Sequence, residues 1–195
     1  MLLQEKFKDK KIILGSASPR RKELLAGLDI QFTVEAFPGG SEEFDPSLPY
    51  EEIPRAIAIA KSKGFHRNLA EDEILITADT VVVCDSEIMG KPHSKEEAAE
   101  MLSRLSGKVH QVITGVCISS LEKECSFFAI SEVSFDQLSA EEIEYYVEKY
   151  SPLDKAGSYG IQEWIGYIGI NSIKGSYFNI VGLPVQRLYK ELMRF

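Results

Sequence analysis

Residues 74–83, Ile-Leu-Ile-Thr-Ala-Asp-Thr-Val-Val-Val, set a carboxylate in the middle of a near-continuous apolar run. A run of that kind, rich in β-branched side chains, reads as a buried strand. A carboxylate inside it is costly, because an unpaired buried charge must find a partner or shift its pKa. Two roles fit Asp79 at this position. It caps a loop at the end of a sheet, or it serves as a general base or metal ligand at the mouth of a cleft, where perturbed carboxylates cluster.

Strand and helix patterns alternate around this segment. Residues 11–15 read as a first strand, 19–28 as a helix and 30–35 as a second strand. A Gly/Pro/acid loop, 36–49, leads to a helix over 50–63 with Ile53, Ile57 and Ala60 on one face. The central strand covers 73–84 and turns at Asp85-Ser86. A helix over 94–105 turns Ala98, Met101, Leu102 and Leu105 inward. Strands follow at 111–119 and 125–135. Ser139, with Glu142 three residues on, forms a capping box for a helix reaching Tyr150. A hairpin is expected from 163–173 and 176–181 around Lys174-Gly175, and a last helix over 184–194. This alternation is α/β with a mixed sheet, and no internal repeat or inter-domain linker interrupts it. At 195 residues the chain is expected to form a single domain, 1–195, of up to two lobes.

A formal net charge of −8 argues against non-specific binding to nucleic acid or an anionic membrane. No apolar stretch approaches a membrane span. The charged first eleven residues lack a signal core. Cys84, Cys117 and Cys125 have neither CxxC spacing nor an even count, the pattern of reduced thiols in a cytoplasmic protein.

Four segments carry chemistry. Gly15-Ser16-Ala17-Ser18-Pro19-Arg20-Arg21-Lys22 follows a strand and opens a helix, with Ser18 suited to the N-cap and Pro19 to the first helical position. Three cations at the end of a helix that favours anions imply a compensating anion, although a solvated basic turn has the same composition. Ser41-Glu42-Glu43-Phe44-Asp45 reads as a solvated acidic loop or as carboxylates for a divalent cation shared with phosphate. Lys61, among Ile and Ala on its helix, and Lys91, in the Gly90-Lys91-Pro92 turn, are surface lysines or point charges for phosphate. The loop from Asp154 to Gln162 carries two glycines that allow close backbone approach, and Gln162 offers the donor and acceptor needed to read a base edge. His66, His93 and His110 show no metal spacing, and no nucleophile elbow, Walker loop or dinucleotide fingerprint follows a strand.

Six motifs in order then resemble one family. They are Ser16-x-Ser18-Pro19-Arg20-Arg21, Ala78-Asp79-Thr80, Gly90-Lys91-Pro92, Leu105-Ser106-Gly107-x-x-His110-x-Val112-x-Thr114-Gly115, Lys155-Ala156-Gly157-x-Tyr159-Gly160-Ile161-Gln162 and Gly175-Ser176-Tyr177-x-Asn179-x-x-Gly182-Leu183-Pro184. From about Lys11 to Leu192 the chain is similar to the Maf family of nucleoside triphosphate pyrophosphatases, also called septum-formation inhibitors. The resemblance implies an inosine triphosphatase-like α/β fold, with an elongated mixed sheet, helices on both sides and two lobes around a central cleft. It implies hydrolysis of a nucleoside triphosphate to monophosphate and pyrophosphate with a divalent cation, Mg²⁺ or Mn²⁺, and a homodimer. Arg20, Thr80 and Gln162 match the branch acting on dTTP and UTP, whereas a sister branch acting on 7-methyl-GTP carries Trp, Gln and Glu there. The chain departs from the family pattern at Gly15, where Ala is usual, and at Glu163-Trp164, neither expected to carry a catalytic role.

The resulting expectation is a cytoplasmic dTTP/UTP pyrophosphatase. Asp79 activates water and can ligate metal, Glu43 helps hold the metal, and Arg21, Lys61 and Lys91 neutralise the triphosphate. Ser16 and Ser18, with the helix N–H groups, cradle phosphate oxygens, while Arg20, Thr80 and Gln162 read the pyrimidine. Action on modified pyrimidine nucleotides in a house-cleaning role, and a non-catalytic nucleotide-binding regulator of division, are the alternative readings.

Overall fold

The central strand runs over Glu73–Cys84, as the apolar run requires, and its neighbours build outward from it. In the computed structural model, which describes residues 1–37, 45 and 47–195, seven strands form a mixed sheet. In chain order the elements begin with α1 (Leu3–Lys6), β1 (Lys11–Leu14), α2 (Pro19–Ala26), β2 (Phe32–Val34) and α3 (Ile53–Lys63). β3 (Glu73–Cys84), β4 (Glu87–Met89), α4 (Lys95–Leu105), β5 (Val109–Ser119), β6 (Glu124–Phe135) and α5 (Ala140–Tyr150) follow. After a 3₁₀ turn (Ala156–Ser158) come α6 (Trp164–Gly169), β7 (Ile170–Lys174), α7 (Tyr177–Val181) and α8 (Val185–Arg194). The strand order is β2-β1-β3-β5-β6-β7, with β4 beside β3. β1 lies parallel to both β2 and β3, whereas β3–β4 and β6–β7 are antiparallel.

The described chain divides into two compact units, the first comprising 1–79, 114–129 and 182–195, the second 80–113 and 130–181. The first is built around Ile12, Leu14, Ile74 and Ile76 from β1 and β3, covered by Leu25 of α2 and Leu188 of α8, all buried. In the second, α4 packs on α5 and on the 3₁₀ turn, burying Leu102, Leu105, Ile143 and Val147. The boundary falls inside β3, between Asp79 and Thr80.

The local chemistry expected of the helix ends is present. Ser18, Ser94 and Ser139 cap α2, α4 and α5 by accepting from the backbone N–H three residues on, and Glu142 completes the capping box at Ser139. Asp85 and Ser86 both take positive φ, +51° and +62°, the geometry of a two-residue hairpin whose return strand is the short β4. On α3 the buried side is Ile53, Pro54, Ile57, Ala58 and Ser62, so Ala60 lies at its margin and not in its centre.

The hairpin expected over 163–181 does not form. Residues 164–169 are helical, with Ile165 and Gly169 buried one turn apart. Residues 177–181 are helical as well, and the return strand is replaced by a turn whose Asn179 is fully buried. Asn179 Nδ2 donates to Val112 O and to Ser131 Oγ, each at 3.0 Å. Aromatic and β-branched composition favours strand locally, but a buried amide that must find partners on neighbouring strands fixes the backbone as a turn of helix.

Candidate active site

In the first unit the site grows from one strand and one helix lying side by side. Alternate residues of β3 share a face, and residues three apart share a face of α3. Thr77 Oγ1 donates to Ala58 O at 2.7 Å, and the next pair along, Asp79 and Lys61, meets as an ion pair with Nζ at 2.7 Å from Oδ1. The end of α3 is fixed further by Ser62 Oγ, 2.5 Å from Ser119 Oγ of β5. Both charged side chains are largely buried, Asp79 13% and Lys61 14% exposed. Asp79 is therefore a charge-paired carboxylate in the strand, not a loop cap.

The β1–α2 segment is tied to the backbone of the same strand, one residue before Asp79. Ser16 Oγ accepts from Ser18 N–H at 3.3 Å and from Arg21 Nη1 at 3.4 Å. Arg21 Nη1 also donates to the carbonyl of Ala78, the residue before Asp79, at 2.8 Å, and Nε donates to Gly182 O at 2.9 Å. One guanidinium thus joins the opening of α2, the strand bearing Asp79 and the Gly-Leu-Pro turn before α8. Arg20 and Arg21 are half-buried, and Lys22 is exposed. A Cβ added at Gly15 would stand 3.0 Å from Leu75, Phe37 and Thr77 side-chain atoms, which explains the smallest residue where this loop leaves β1.

The second unit brings together three other motifs. Gly157 N–H donates to Gly90 O at 3.0 Å, tying the Gly-Lys-Pro turn to the loop that follows Lys155. His110 Nε2 lies 2.7 Å from the hydroxyl of Tyr159, and the two rings pack with Phe135 edge to face. Lys91 and Gln162 are exposed, Gln162 within the turn after Gly160, and Thr80 is half-buried directly after Asp79 in β3. Burial pushes the His110 imidazole down to about 4 and raises the Tyr159 phenol.

A family model described as a Maf-like protein matches residues 11–195. The chain belongs to the Maf family. Among curated Maf relatives it is 55% identical to a dTTP/UTP pyrophosphatase of Phocaeicola vulgatus, over 97% of this chain and 98% of that one. It is 53% identical to one of Bacteroides thetaiotaomicron, covering 94% and 95% of the two chains. It is 52% identical to one of Porphyromonas gingivalis, covering 98% and 97%. Among solved structures, a HAM1 protein from Coxiella burnetii covers 95% of this chain and 100% of that one at 13% identity and a TM-score of 0.47, a likeness too slight to bear on function.

Of the residues singled out in the sequence, Ser16, Ser18, Arg21, Lys61 and Asp79 lie in the first unit, linked through shared hydrogen bonds and the short backbone stretch Ala78–Asp79. Arg20 lies on the same helix turn. Thr80, Lys91 and Gln162 belong to the second unit. Glu43 lies outside the described residues. Among the described residues no group of three or more His, Cys, Asp and Glu is placed to hold a metal, and no helix is long and apolar enough to cross a membrane. Sequence reasoning missed Tyr146 and the contact of Lys155 with Glu163, which together form a largely buried polar cluster next to Gln162 in the chain. A lysine and a glutamate flanking a Gly-rich loop were the available signal, but Tyr146 comes from a helix whose pattern reads as core.

Proposed function

We propose that this Maf protein hydrolyses dTTP and UTP to the nucleoside monophosphate and pyrophosphate. The observation that carries the reading is the Asp79–Lys61 pair, a buried carboxylate 2.7 Å from an ammonium, with Arg21 anchored on the adjacent Ala78 carbonyl. The names of relatives 52–55% identical over nearly the whole chain support the substrate class.

Asp79 takes a proton from water while the water oxygen bonds to the α-phosphorus. The bridging Pα–O bond breaks, its electron pair stays with pyrophosphate, and no covalent enzyme intermediate is needed. Lys61 donates to Oδ1 and fixes the plane of the carboxylate, so the second oxygen is the one assigned to the water proton. Positive charge on Lys61, Arg21 and Lys91 offsets what accumulates on the phosphates, the dominant contribution in phosphoryl chemistry. Ser16 Oγ already accepts two N–H bonds, so its own hydrogen is what it offers a phosphate oxygen. Ser18 serves the same segment by capping α2. Arg20, Thr80 and Gln162 are assigned to recognition of the pyrimidine.

Asp79 supplies the hard oxygen that a Mg²⁺ or Mn²⁺ ion takes, and such an ion needs only one or two carboxylates when substrate oxygens complete its shell. Asp79 and Glu43 would hold it, and it would add Lewis-acid polarisation of the phosphates. Cytoplasmic location and a homodimer complete the proposal.

Pyrophosphate release from dTTP, UTP, CTP, GTP and ATP, with Mg²⁺, Mn²⁺ or excess chelator, tests this reading. Selective release from dTTP and UTP that chelator abolishes is expected. Release from none of them would remove the catalytic reading, and undiminished release in chelator would remove the metal from it.

A further inference from the structure

Gln162 is the third residue of a four-residue turn, Gly160-Ile161-Gln162-Glu163, closed by Glu163 N–H donating to Gly160 O at 2.9 Å. Both ends of that turn meet one phenol. Gly160 N–H donates to Tyr146 Oη at 2.9 Å, and Tyr146 O–H in turn donates to Glu163 Oε2. Glu163 Oε1 accepts from Lys155 Nζ at 3.1 Å, and the same ammonium reaches Asp154 Oδ1 at 2.8 Å. Lys155 is 9% exposed and Tyr146 fully buried, so the ammonium and the phenol are shielded, while Glu163 keeps 26% of its side chain exposed and Asp154 lies at the surface. Gly160 makes the arrangement possible. A Cβ there would lie 2.9 Å from Glu163 Cδ and 3.0 Å from Lys155 Cε, inside the space both side chains occupy.

We propose that Glu163 is a positioning residue for base selection, its carboxylate locking the Gly160–Glu163 turn through Tyr146 and Lys155 so that the exposed Gln162 amide is held in one orientation. The inference rests on Gln162 reading the pyrimidine. An exposed glutamine carries considerable rotamer and backbone freedom, and ordering it in advance strengthens a recognition bond without adding a contact. The four residues of the clamp come from α5 and from both sides of the turn, so it holds the loop against the body of the second unit and leaves Gln162 outward.

The test is steady-state kinetics on the full chain with dTTP, UTP and GTP, the last as substrate or competitor. The variants are Gln162→Ala, Glu163→Ala, Glu163→Gln and the Gln162→Ala/Glu163→Ala double variant. Glu163→Ala is expected to raise KM for dTTP and UTP about tenfold, with kcat and the GTP constant changing less than about threefold. In the Gln162→Ala background the same substitution should add less than about twofold, because the residue it orders is gone. Glu163→Gln keeps an oxygen for the Tyr146 hydroxyl and should recover most of the loss. Should Glu163→Ala fail to fold, Tyr146→Phe removes the same anchor and should give the same pattern. Equal weakening for all three nucleotides, or full additivity in the double variant, would overturn the positioning role alone. If Gln162→Ala left the preference for pyrimidines intact, the base-reading assignment and this inference would fall together.

Discussion

The two units each bury a lysine against a carboxylate, and the surroundings of the two pairs differ. In the first, Lys61 donates to Asp79 on a strand, where the arginine of a phosphate-type loop is anchored one residue away. In the second, Lys155 sits between Asp154 and Glu163, and Glu163 is met again by a buried phenol. The second cluster is a closed circuit in which donors and acceptors answer one another within a single loop and helix. The first brings cations from separate elements onto one stretch of strand, Lys61 on the Asp79 carboxylate and Arg21 on the Ala78 carbonyl, the arrangement the proposed triphosphate site uses. Burial and pairing are common to both clusters, so they do not separate them; the proposed function rests on the first because its cations come from separate segments to neighbouring residues of one strand.

That contrast can be broken by treating the two lysines alike. Lys61→Met keeps the aliphatic stem and removes the charge, and should lower kcat for dTTP by about 10²- to 10³-fold, the scale of losing one electrostatic donor at the reacting centre. Lys155→Met should instead cost about 1 to 2 kcal/mol of stability by leaving the part-buried Glu163 only the Tyr146 hydroxyl, with kcat falling less than about threefold. Chemical denaturation and turnover measured on both variants check the pair, and an exchange of the two outcomes would invert the comparison. Gln162→Glu keeps an acceptor and loses the amide donor, leaving a pyrimidine oxygen facing a carboxylate. A drop of about 30-fold in kcat/KM for dTTP and UTP, larger than that for GTP, is expected, and a uniform loss would return Gln162 to scaffold.

The smallest effect belongs to His110. Its imidazole falls from an ordinary 6.5 to about 4 on burial, so between those values the unfolded chain binds a proton that the folded chain does not. Stability then decreases as pH falls through that window, by about 1.5 kcal/mol between pH 6.5 and pH 5. Urea midpoints across this range should show a steeper decline for the wild type than for His110→Gln. Parallel declines would mean that His110 is not buried neutral.

How far the sequence was legible follows the range of the forces involved. β3 appears over 73–84 as expected because its apolar run is continuous and needs no partner to be recognised. The caps at Ser18, Ser94 and Ser139 are equally local. The ends of β1 and β2 fall one or two residues inside the expected bounds, where ladder pairing and not composition sets the limit, and α2 stops two residues early. α6 and α7 were hidden because Tyr, Ile and Phe favour strand until tertiary partners such as those of Asn179 are known. Asp79 and the cations at the start of α2 stood out as residues out of keeping with their surroundings; the structure pairs Asp79 with Lys61, and Arg21 with Ser16 and the Ala78 carbonyl. The dual use of the Arg21 guanidinium as a tie to Gly182 had no sequence signal, since its acceptor is a backbone carbonyl 161 residues away.

Turnover and nucleotide binding by Asp79→Asn test the central assignment most directly. The substitution keeps the shape and an oxygen for Lys61 but removes the basic carboxylate. Single-turnover hydrolysis of dTTP should slow by about 10²- to 10⁴-fold, while calorimetric dTTP affinity changes less than about tenfold. A variant that binds dTTP and still releases pyrophosphate at near the wild-type rate would contradict Asp79 as the group that activates water.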